Sequence, residues 1–343
     1  MKIISLLFGI FAGCISVPFA CAADYTWNGG NASWTDSGAW LLDGSSADWI
    51  NGNTALFRTG STLTVGSGIS ASGLLYEGAA VTLNGGSLTL AGSASGSNGG
   101  SATLSGTALT LNSTNQEDGW TVRDTSLSGS STLTKTGNGT VALSGTHTAN
   151  GAWNINEGTL VFTGTRDITG GGQINIASGA VLDASGGRLF HAANYASNWE
   201  QPTITLNGGT LKLNQFGYNS ASLGCLQNNF YALKFSSGTT SRVVISQGYE
   251  SGGTGSRGIY IAGWGTTAVI ELGANQTFTW SSSNGQNFDS IVCESGAGSA
   301  LQLDVGENSV FNFDQKFANK NTANEYGAPT TSNFSGLSLI KSG

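Results

Sequence analysis

A short segment of alternating apolar and polar residues recurs along this chain, and it limits the fold more than any other feature. Residues 81–90 read Val-Thr-Leu-Asn-Gly-Gly-Ser-Leu-Thr-Leu, and residues 204–213 read Ile-Thr-Leu-Asn-Gly-Gly-Thr-Leu-Lys-Leu. Looser copies lie at 155–162 and 174–182. A period of two places apolar side chains on one face of a strand and polar side chains on the other, and the central glycines favour a change of direction. Each copy therefore predicts a strand, a tight turn and a second strand.

The spacing of these copies predicts how they assemble. Leu83 and Leu104 are 21 residues apart, as are Ile155 and Ile176, and this length suits one coil of a solenoid. A unit of this size cannot bury its apolar row alone, so it must stack on its neighbours at the ~4.8 Å spacing of paired strands. If the whole mature chain stacks, about fourteen coils form a rod of roughly 65 Å. We therefore predict an all-β solenoid.

The composition favours strands over both helices and disorder. Glycine accounts for 53 of the 343 residues and charged residues for 10%, whereas soluble domains average about 7% glycine and about 25% charged residues. Glycine costs roughly 1 kcal/mol inside a helix. Disordered chains combine low hydrophobicity with high charge, but here 38% of the residues are hydrophobic and only 3 are proline. An ordered β protein is the prediction.

The first 23 residues predict export. Lys2 precedes an apolar stretch at 3–19, and the stretch ends in Ala-Cys-Ala at 20–22, which fits a signal-peptide cleavage site. A retained anchor and a lipid-modified Cys14 or Cys21 are the alternatives. Because no later run reaches the ~18 apolar residues of a membrane-spanning helix, we expect no membrane insertion by the mature segment.

Differences in composition and repeat pattern divide the mature chain into a cap and a repeat region. Residues 24–60 are rich in tryptophan and lack the Gly-Thr-Leu rhythm, so we interpret them as an N-terminal cap over the first open coil. Residues 61–343 are predicted to be β-helix repeats, with longer irregular inserts from 188 to 258. Loops that leave a repeat scaffold are where binding is sought.

Charge and cysteine content limit the partners. The net charge of −7 provides no basic face for a phosphate backbone, so we expect no nucleic-acid partner. Cys225 and Cys293 remain after signal removal, and they are either a disulfide, which export permits, or two buried thiols.

No catalytic, metal or cofactor site is expected. The rival hypothesis is a polysaccharide lyase or hydrolase, since β-helices host such enzymes, and these need clustered carboxylates. The aspartates are instead scattered, at positions 167, 183, 289, 304 and 314. His147 and His191 have no cysteine or carboxylate around them at metal-ligand spacing.

Aromatic residues in the inserts are the candidates for ligand binding. Tyr195, Trp199 and Tyr218 could stack on sugar rings, which would make the chain a lectin-like adhesin. The competing interpretation is that the aromatic residues fill the core and close the coil ends, and we favour it.

One segment resembles a known repeat. Residues 133–145, Leu-Thr-Lys-Thr-Gly-Asn-Gly-Thr-Val-Ala-Leu-Ser-Gly, continue to Ile-Asn-Glu-Gly-Thr-Leu at 155–160. The pattern is similar to the autotransporter-associated β-strand repeat, with Val141 in place of the usual leucine. The Trp-Asn-Gly-Gly sequence at Trp27 also resembles the opening of large surface proteins that carry this repeat.

The resemblance implies a right-handed parallel β-helix that acts as the exported passenger of a surface or secreted protein. We therefore expect a non-catalytic adhesive or structural surface at the outside of a Gram-negative-type bacterium. Its expected partners are glycans or other surface proteins, including further copies of itself. Because residues 337–343 align with the start of the repeat at 131–137, we expect the sequence to end inside another copy.

Overall fold

The computed structural model contains strands and turns in every part of the chain that it describes. Those parts are residues 22–114, 119–166, 172–189, 204–213, 229–245, 257–261, 266–281, 290–294, 299–314, 316–320 and 337–342. None of these residues forms a helix, so no helix among them is long and apolar enough to cross a membrane.

The described part of the chain begins with a small antiparallel unit. It consists of β1 (Asp24–Trp27), β2 (Trp40–Leu42) and β3 (Ser45–Ala47). The other strand pairings in the described residues are parallel, and they form three ladders that the chain visits in turn, one strand of each per coil. The fold is therefore a parallel β-helix, which agrees with the solenoid that the repeat pattern predicted and with the β-helix that the family resemblance implied.

Ladder one is the shortest. Its strands are β5 (Ser61–Thr64), β7 (Ala80–Asn84), β10 (Ser101–Ser105) and β13 (Thr125–Ser128). The pairs in the same position of later coils are β16 (Thr146–His147) with β19 (Thr165–Arg166), and β28 (Thr277–Ser281) with β31 (Val310–Asp314).

Ladders two and three run through the described coils from one end to the other. Ladder two comprises the first half of β6 (Ile69–Glu77), β8 (Ser87–Leu90), β11 (Ala108–Asn112), β14 (Thr132–Thr136), β17 (Trp153–Ile155), β20 (Ile174–Ile176), β22 (Ile204–Leu206), β24 (Asn229–Phe235), β26 (Arg257–Ile261), β29 (Ser290–Glu294) and β32 (Lys316–Lys320). Ladder three comprises β4 (Asn53–Phe57), the second half of β6, β9 (Ala94–Ser97), β12 (Trp120–Val122), β15 (Thr140–Leu143), β18 (Thr159–Phe162), β21 (Val181–Ala184), β23 (Thr210–Leu213), β25 (Thr240–Ile245), β27 (Thr267–Leu272), β30 (Ser299–Val305) and β33 (Leu337–Ser342).

The inward side chains form continuous columns because the strands pair in register. In ladder two, seven successive apolar residues meet in this way and are at most 2% exposed: Leu88, Leu109, Leu133, Trp153, Ile174, Ile204 and Leu233. Burial of one such side chain contributes about 1.5–3 kcal/mol. The interior between the ladders is one connected hydrophobic core.

The predicted 21-residue step is confirmed at both places where the sequence indicated it. Leu83 pairs with Leu104 in ladder one, and Ile155 pairs with Ile176 in ladder two. Coils become longer toward the C-terminal end. In ladder three the step is 19 residues from Val141 to Leu160, but 33 residues from Ile270 to Leu303.

The two best sequence copies occupy different corners of the solenoid. Residues 81–90 form β7 and β8, which belong to ladders one and two, whereas residues 204–213 form β22 and β23, which belong to ladders two and three. A strand, a glycine turn and another strand are equally suitable at either corner, because both need the same alternation and the same reversal. The local pattern thus marks a corner without specifying which one.

The N-terminal segment covers the starting edge of each ladder. Strand β1 pairs with β4, and the Trp34 amide donates to the Thr64 carbonyl at 2.8 Å beside β5. The Gly52 amide donates to the Ser70 carbonyl at 2.9 Å beside β6. Trp34 and Trp40, both fully buried, pack against Phe57 with ring centroids 5.9 and 5.6 Å apart. This arrangement satisfies edges that would otherwise pair with other chains.

Replacing Leu160 with Asp should destabilise the solenoid sharply. Leu160 is 0% exposed in the apolar column of ladder three, so a carboxyl there is buried without a partner. The expected loss is about 4 kcal/mol or more, which lowers the melting temperature by roughly 10 °C. Ala142→Asp is the matched control because Ala142 points outward from the neighbouring strand of the same ladder, between the uncharged Thr121 and Val161. Equal melting temperatures for the two variants in thermal circular dichroism would contradict a core at Leu160.

Candidate functional site

The predicted glycan residues cannot be placed. Tyr195, Trp199 and Tyr218 lie outside the described residues, as do His191, Cys225, Asp167 and Asp289. The sugar-binding hypothesis for the inserts and the pairing of Cys225 with Cys293 therefore stay predictions. Three polar arrangements do lie in the described part of the chain: a group of charges on ladder three, a buried histidine cluster, and a buried lysine at a corner.

The charged group lies on the outer face of ladder three. Glu271 and Asp304 are direct neighbours across β27 and β30, and Arg242 bonds to both, with an Nη1–Oδ2 distance of 3.1 Å to Asp304. The Asp304 side chain is 22% exposed and that of Glu271 40%. One guanidinium thus compensates part of the charge of two carboxylates and links three consecutive coils.

Two of the scattered aspartates of the sequence, Asp183 and Asp304, are not near each other in the structure. Asp183 and Asp304 lie in the same outward column but four coils apart, a separation of about 19 Å at the usual strand spacing. Asp183 has Lys212 as its neighbour at 3.7 Å, and Ser185 donates a hydrogen bond to it. Among the described residues, no group of three or more His, Cys, Asp or Glu side chains could hold a metal ion.

His147 lies inside the solenoid, in a cluster of aromatic rings. It is 0% exposed, its Nδ1 accepts a hydrogen bond from the Leu127 amide at 3.2 Å, and its ring centroid is 5.7 Å from that of Trp153. The Arg166 guanidinium lies over the Trp153 ring at 4.7 Å, a favourable cation–π contact. Burial, together with the positive charge of Arg166, lowers the pKa of His147 to about 4. The sequence offered no signal for this cluster beyond the alternation that turns position 147 inward.

Lys135 is a second buried cation among the described residues. It occupies an inward position of β14, between Leu111 and Ile155 in the column, and is 0% exposed. Its aliphatic stem therefore fills the place of a leucine, while the ammonium reaches the corner between ladders two and three. Burial lowers the pKa of Lys135 to about 8, an effect that the Glu157 carboxylate opposes.

Four oxygens from three consecutive coils surround the Lys135 ammonium. The Nζ atom lies 2.8 Å from the Ser113 hydroxyl of the preceding coil. It lies 3.0 and 2.7 Å from the carbonyls of Thr136 and Gly137 in its own coil, and 3.0 Å from the Glu157 carbonyl of the next coil. An ammonium donates three hydrogen bonds, so this single side chain joins three turns at one corner.

The residues around Lys135 explain why the motif has its glycines and its glutamate. The Gly137 amide donates to the Glu157 carboxylate at 2.8 Å. Gly137 has a φ of +76°, and a Cβ there would lie 2.3 Å from the Thr114 amide nitrogen. Gly158 has a φ of +64°, and a Cβ there would lie 2.4 Å from the Gly137 carbonyl. The Lys-x-Gly element and the Glu-Gly element therefore form one interlocked corner across neighbouring coils.

Replacing Lys135 with Met should destabilise the protein, although the two side chains have similar volumes. Methionine keeps the apolar stem but removes the ammonium that donates to four oxygens, and the loss of a hydrogen bond to a charged group costs about 1.5–3 kcal/mol. We expect the melting temperature to fall by roughly 5 °C or more. Lys212→Met is the matched control, since Lys212 is 45% exposed and such pairs contribute about 0–1 kcal/mol. Similar shifts for both variants would show that the corner network adds no stability.

His147 should make the protein sensitive to acid. The ordinary histidine pKa is 6.5 and that of buried His147 is about 4, so between these values the unfolded chain binds a proton that the folded chain does not. The free energy of unfolding therefore falls by about 3 kcal/mol on account of His147 as the pH is lowered from 6.5 to 4, and above pH 6.5 this contribution is fully present. Melting curves of wild type and His147→Gln across this range measure the effect. The variant should have the shallower dependence on pH, and identical slopes would contradict the assignment.

Comparison with protein-family models identifies the segment that contains this corner. Residues 133–162 match the passenger-associated-transport-repeat, and the match spans β14 to β18, including Lys135, Gly137, Glu157 and Gly158. No curated protein and no solved structure matches the chain. The family resemblance found in the sequence is confirmed for this segment. The chain therefore carries, at residues 133–162, a passenger-associated-transport-repeat, which points to the passenger domain of an autotransporter.

Proposed function

We propose that the chain is the exported, non-catalytic passenger of an autotransporter-like protein and that it displays its outer faces as an adhesive or structural surface outside the cell. The observation that carries the proposal is the position of the passenger repeat within the solenoid. Residues 133–162 form one continuous part of the stacked ladders, with its corner joined to the neighbouring coils by Lys135. The repeat is thus part of the solenoid, and its core is continuous with the core of the coils on both sides.

The physics of the fold suits a scaffold outside the cell. Stability comes from contacts between neighbouring coils of the same chain. The N-terminal segment protects the strand edges at one end, which limits aggregation after export. The adjacent carboxylates Glu271 and Asp304 support a structural role, because both bond to Arg242 and so hold neighbouring coils together.

Export is tested by expressing the chain with its own N-terminal segment in a Gram-negative host and fractionating the cells. We expect the protein beyond the inner membrane, with a mass that corresponds to cleavage near Ala23. A variant that lacks residues 1–23 is the control and should stay in the cytoplasm. Retention of the full chain in the cytoplasm, uncleaved, would contradict the proposal.

The absence of catalytic activity is tested by an assay for polysaccharide cleavage. The purified protein is incubated with a panel of plant and host polysaccharides, and the products are assayed for new reducing ends and unsaturated sugars. We expect none. Product that disappears in the Glu271→Gln and Asp304→Asn variants, which keep the shape of both side chains, would identify a carbohydrate-active enzyme instead.

A further inference from the structure

The outward side of ladder two carries no formal charge over six successive strands. The outward residues of β8, β11, β14, β17, β20 and β22 are all Ser, Thr, Asn or Ala. Their central column consists of Thr89, Thr110, Thr134, Asn154, Asn175 and Thr205, all of them partly exposed. We call this surface the hydroxyl–amide face.

Strand pairing arranges the polar groups of this face in a regular array. Each member of the central column lies opposite the next one in register, which sets a spacing of about 4.8 Å along the solenoid. Asn175 Nδ2 donates to Asn154 Oδ1 at 2.8 Å. Hydroxyl and amide side chains can each donate and accept hydrogen bonds, so the column retains both kinds of group toward the outside.

We propose that the hydroxyl–amide face is a self-association surface whose partner is the same face of a second copy of this chain. The proposal rests on the proposed function in one respect, since it names the surface and the partner of that exported scaffold. A face made of groups that both donate and accept is complementary to itself, as the symmetric pairing of two identical copies requires.

Charge favours this face over the other well-described long face. The chain has a net charge of −7, so two copies repel each other unless the contact avoids charged surface. In the same coils, the outer side of ladder three carries Asp183 on β21 and Lys212 on β23, whereas the first charge on the outer side of ladder two after these strands is Lys234 on β24. The hydroxyl–amide face can meet its own copy without burying a charge, which removes the main electrostatic cost of association.

The same face is poorly suited to the other partner classes. Sugar rings bind by stacking on aromatic side chains, and the outward residues of these six strands include none. Nucleic acid requires Lys or Arg to neutralise phosphates, and these are also absent from those outward positions. A second copy matches both the array spacing and the neutral chemistry.

The size of the face predicts a weak contact. Six strands at the usual spacing extend about 24 Å, and their lengths of three to five residues correspond to a mean width of about 13 Å, which gives roughly 300 Å² per copy and 600 Å² in total. Stable complexes bury about 1,200–2,000 Å². We therefore expect weak association between free molecules and much stronger attachment between surfaces that carry many copies, because multivalent contacts reinforce one another.

The test is sedimentation velocity of the purified chain over a concentration series that reaches the high-micromolar range. Wild type should show a sedimentation coefficient that rises with concentration. The double variant Thr134→Lys, Asn154→Lys places like charges on both partners, and it should raise the dissociation constant of self-association at least tenfold. The matched control is Ala142→Lys, Val161→Lys, which adds the same charges to outward positions of neighbouring strands on ladder three and should associate like wild type.

A variant of opposite charge distinguishes the loss of the intermolecular contact from the loss of the fold. The variant Thr134→Glu, Asn154→Glu should also be monomeric alone, but an equimolar mixture with the lysine variant should associate again. Circular dichroism melting of every variant checks that the solenoid is intact. A wild type that stays monomeric throughout, or a control pair that weakens association as much as the face variants, would overturn the proposal. So would a neutral polysaccharide that binds the monomer and is released by the lysine variant. All these measurements use purified protein in solution. Failure of the self-association proposal would therefore leave the result of the export experiment unaffected.

Discussion

Every feature of this molecule depends on the pairing of each strand with the equivalent strand of the next coil. Parallel strands present unpaired amides and carbonyls on both sides, and those groups are satisfied only when the neighbouring coil is in register. Register also decides the interior, since the inward residue of one coil must meet an apolar residue of the next, as Leu133 meets Trp153 and Trp153 meets Ile174. A shift by one residue would turn every side chain of a strand to the wrong face. The N-terminal segment has a defined task in this scheme, because the first coil has no preceding neighbour.

Among the described residues, the buried cations Lys135 and Arg166 lie where the backbone or an aromatic ring compensates for lost water. Lys135 sits beside a corner, where the turn carbonyls of three coils converge on its ammonium. Arg166 instead lies over the face of Trp153, and its Nη2 donates to the Gly151 carbonyl at 3.0 Å. Corners are the places where backbone carbonyls leave the ladder, so a cation is tolerated there and not in the middle of a strand. The lysine of the passenger repeat is thus explained by the geometry of the corner.

The sequence predicted the repeat, the class of fold and the 21-residue step, because alternation and glycine turns are local signals that stacking does not alter. It did not distinguish the corner of residues 81–90 from that of 204–213, since ladder membership depends on how many residues separate one strand from the next. The role of Lys135 was also missed. Its position in the motif was visible, but the oxygens that hold it come from Ser113 and Glu157, which are 22 residues away on either side. Such contacts follow from coil stacking and cannot be read from one segment alone.

Coil stacking also connects stability with surface function. The step that aligns Leu109 with Leu133 inside the solenoid aligns Thr110 with Thr134 outside it, so each added coil lengthens the core and the outer array together. A surface built in this way grows in proportion to the number of coils, and its polar groups keep the same spacing throughout. Substitutions on it change the outer array without disturbing the interior, because the outward and inward rows are separate sets of residues on the same strands. An array of this kind favours many weak, equivalent contacts over one strong site, which is the mode of recognition that a crowded cell surface can exploit.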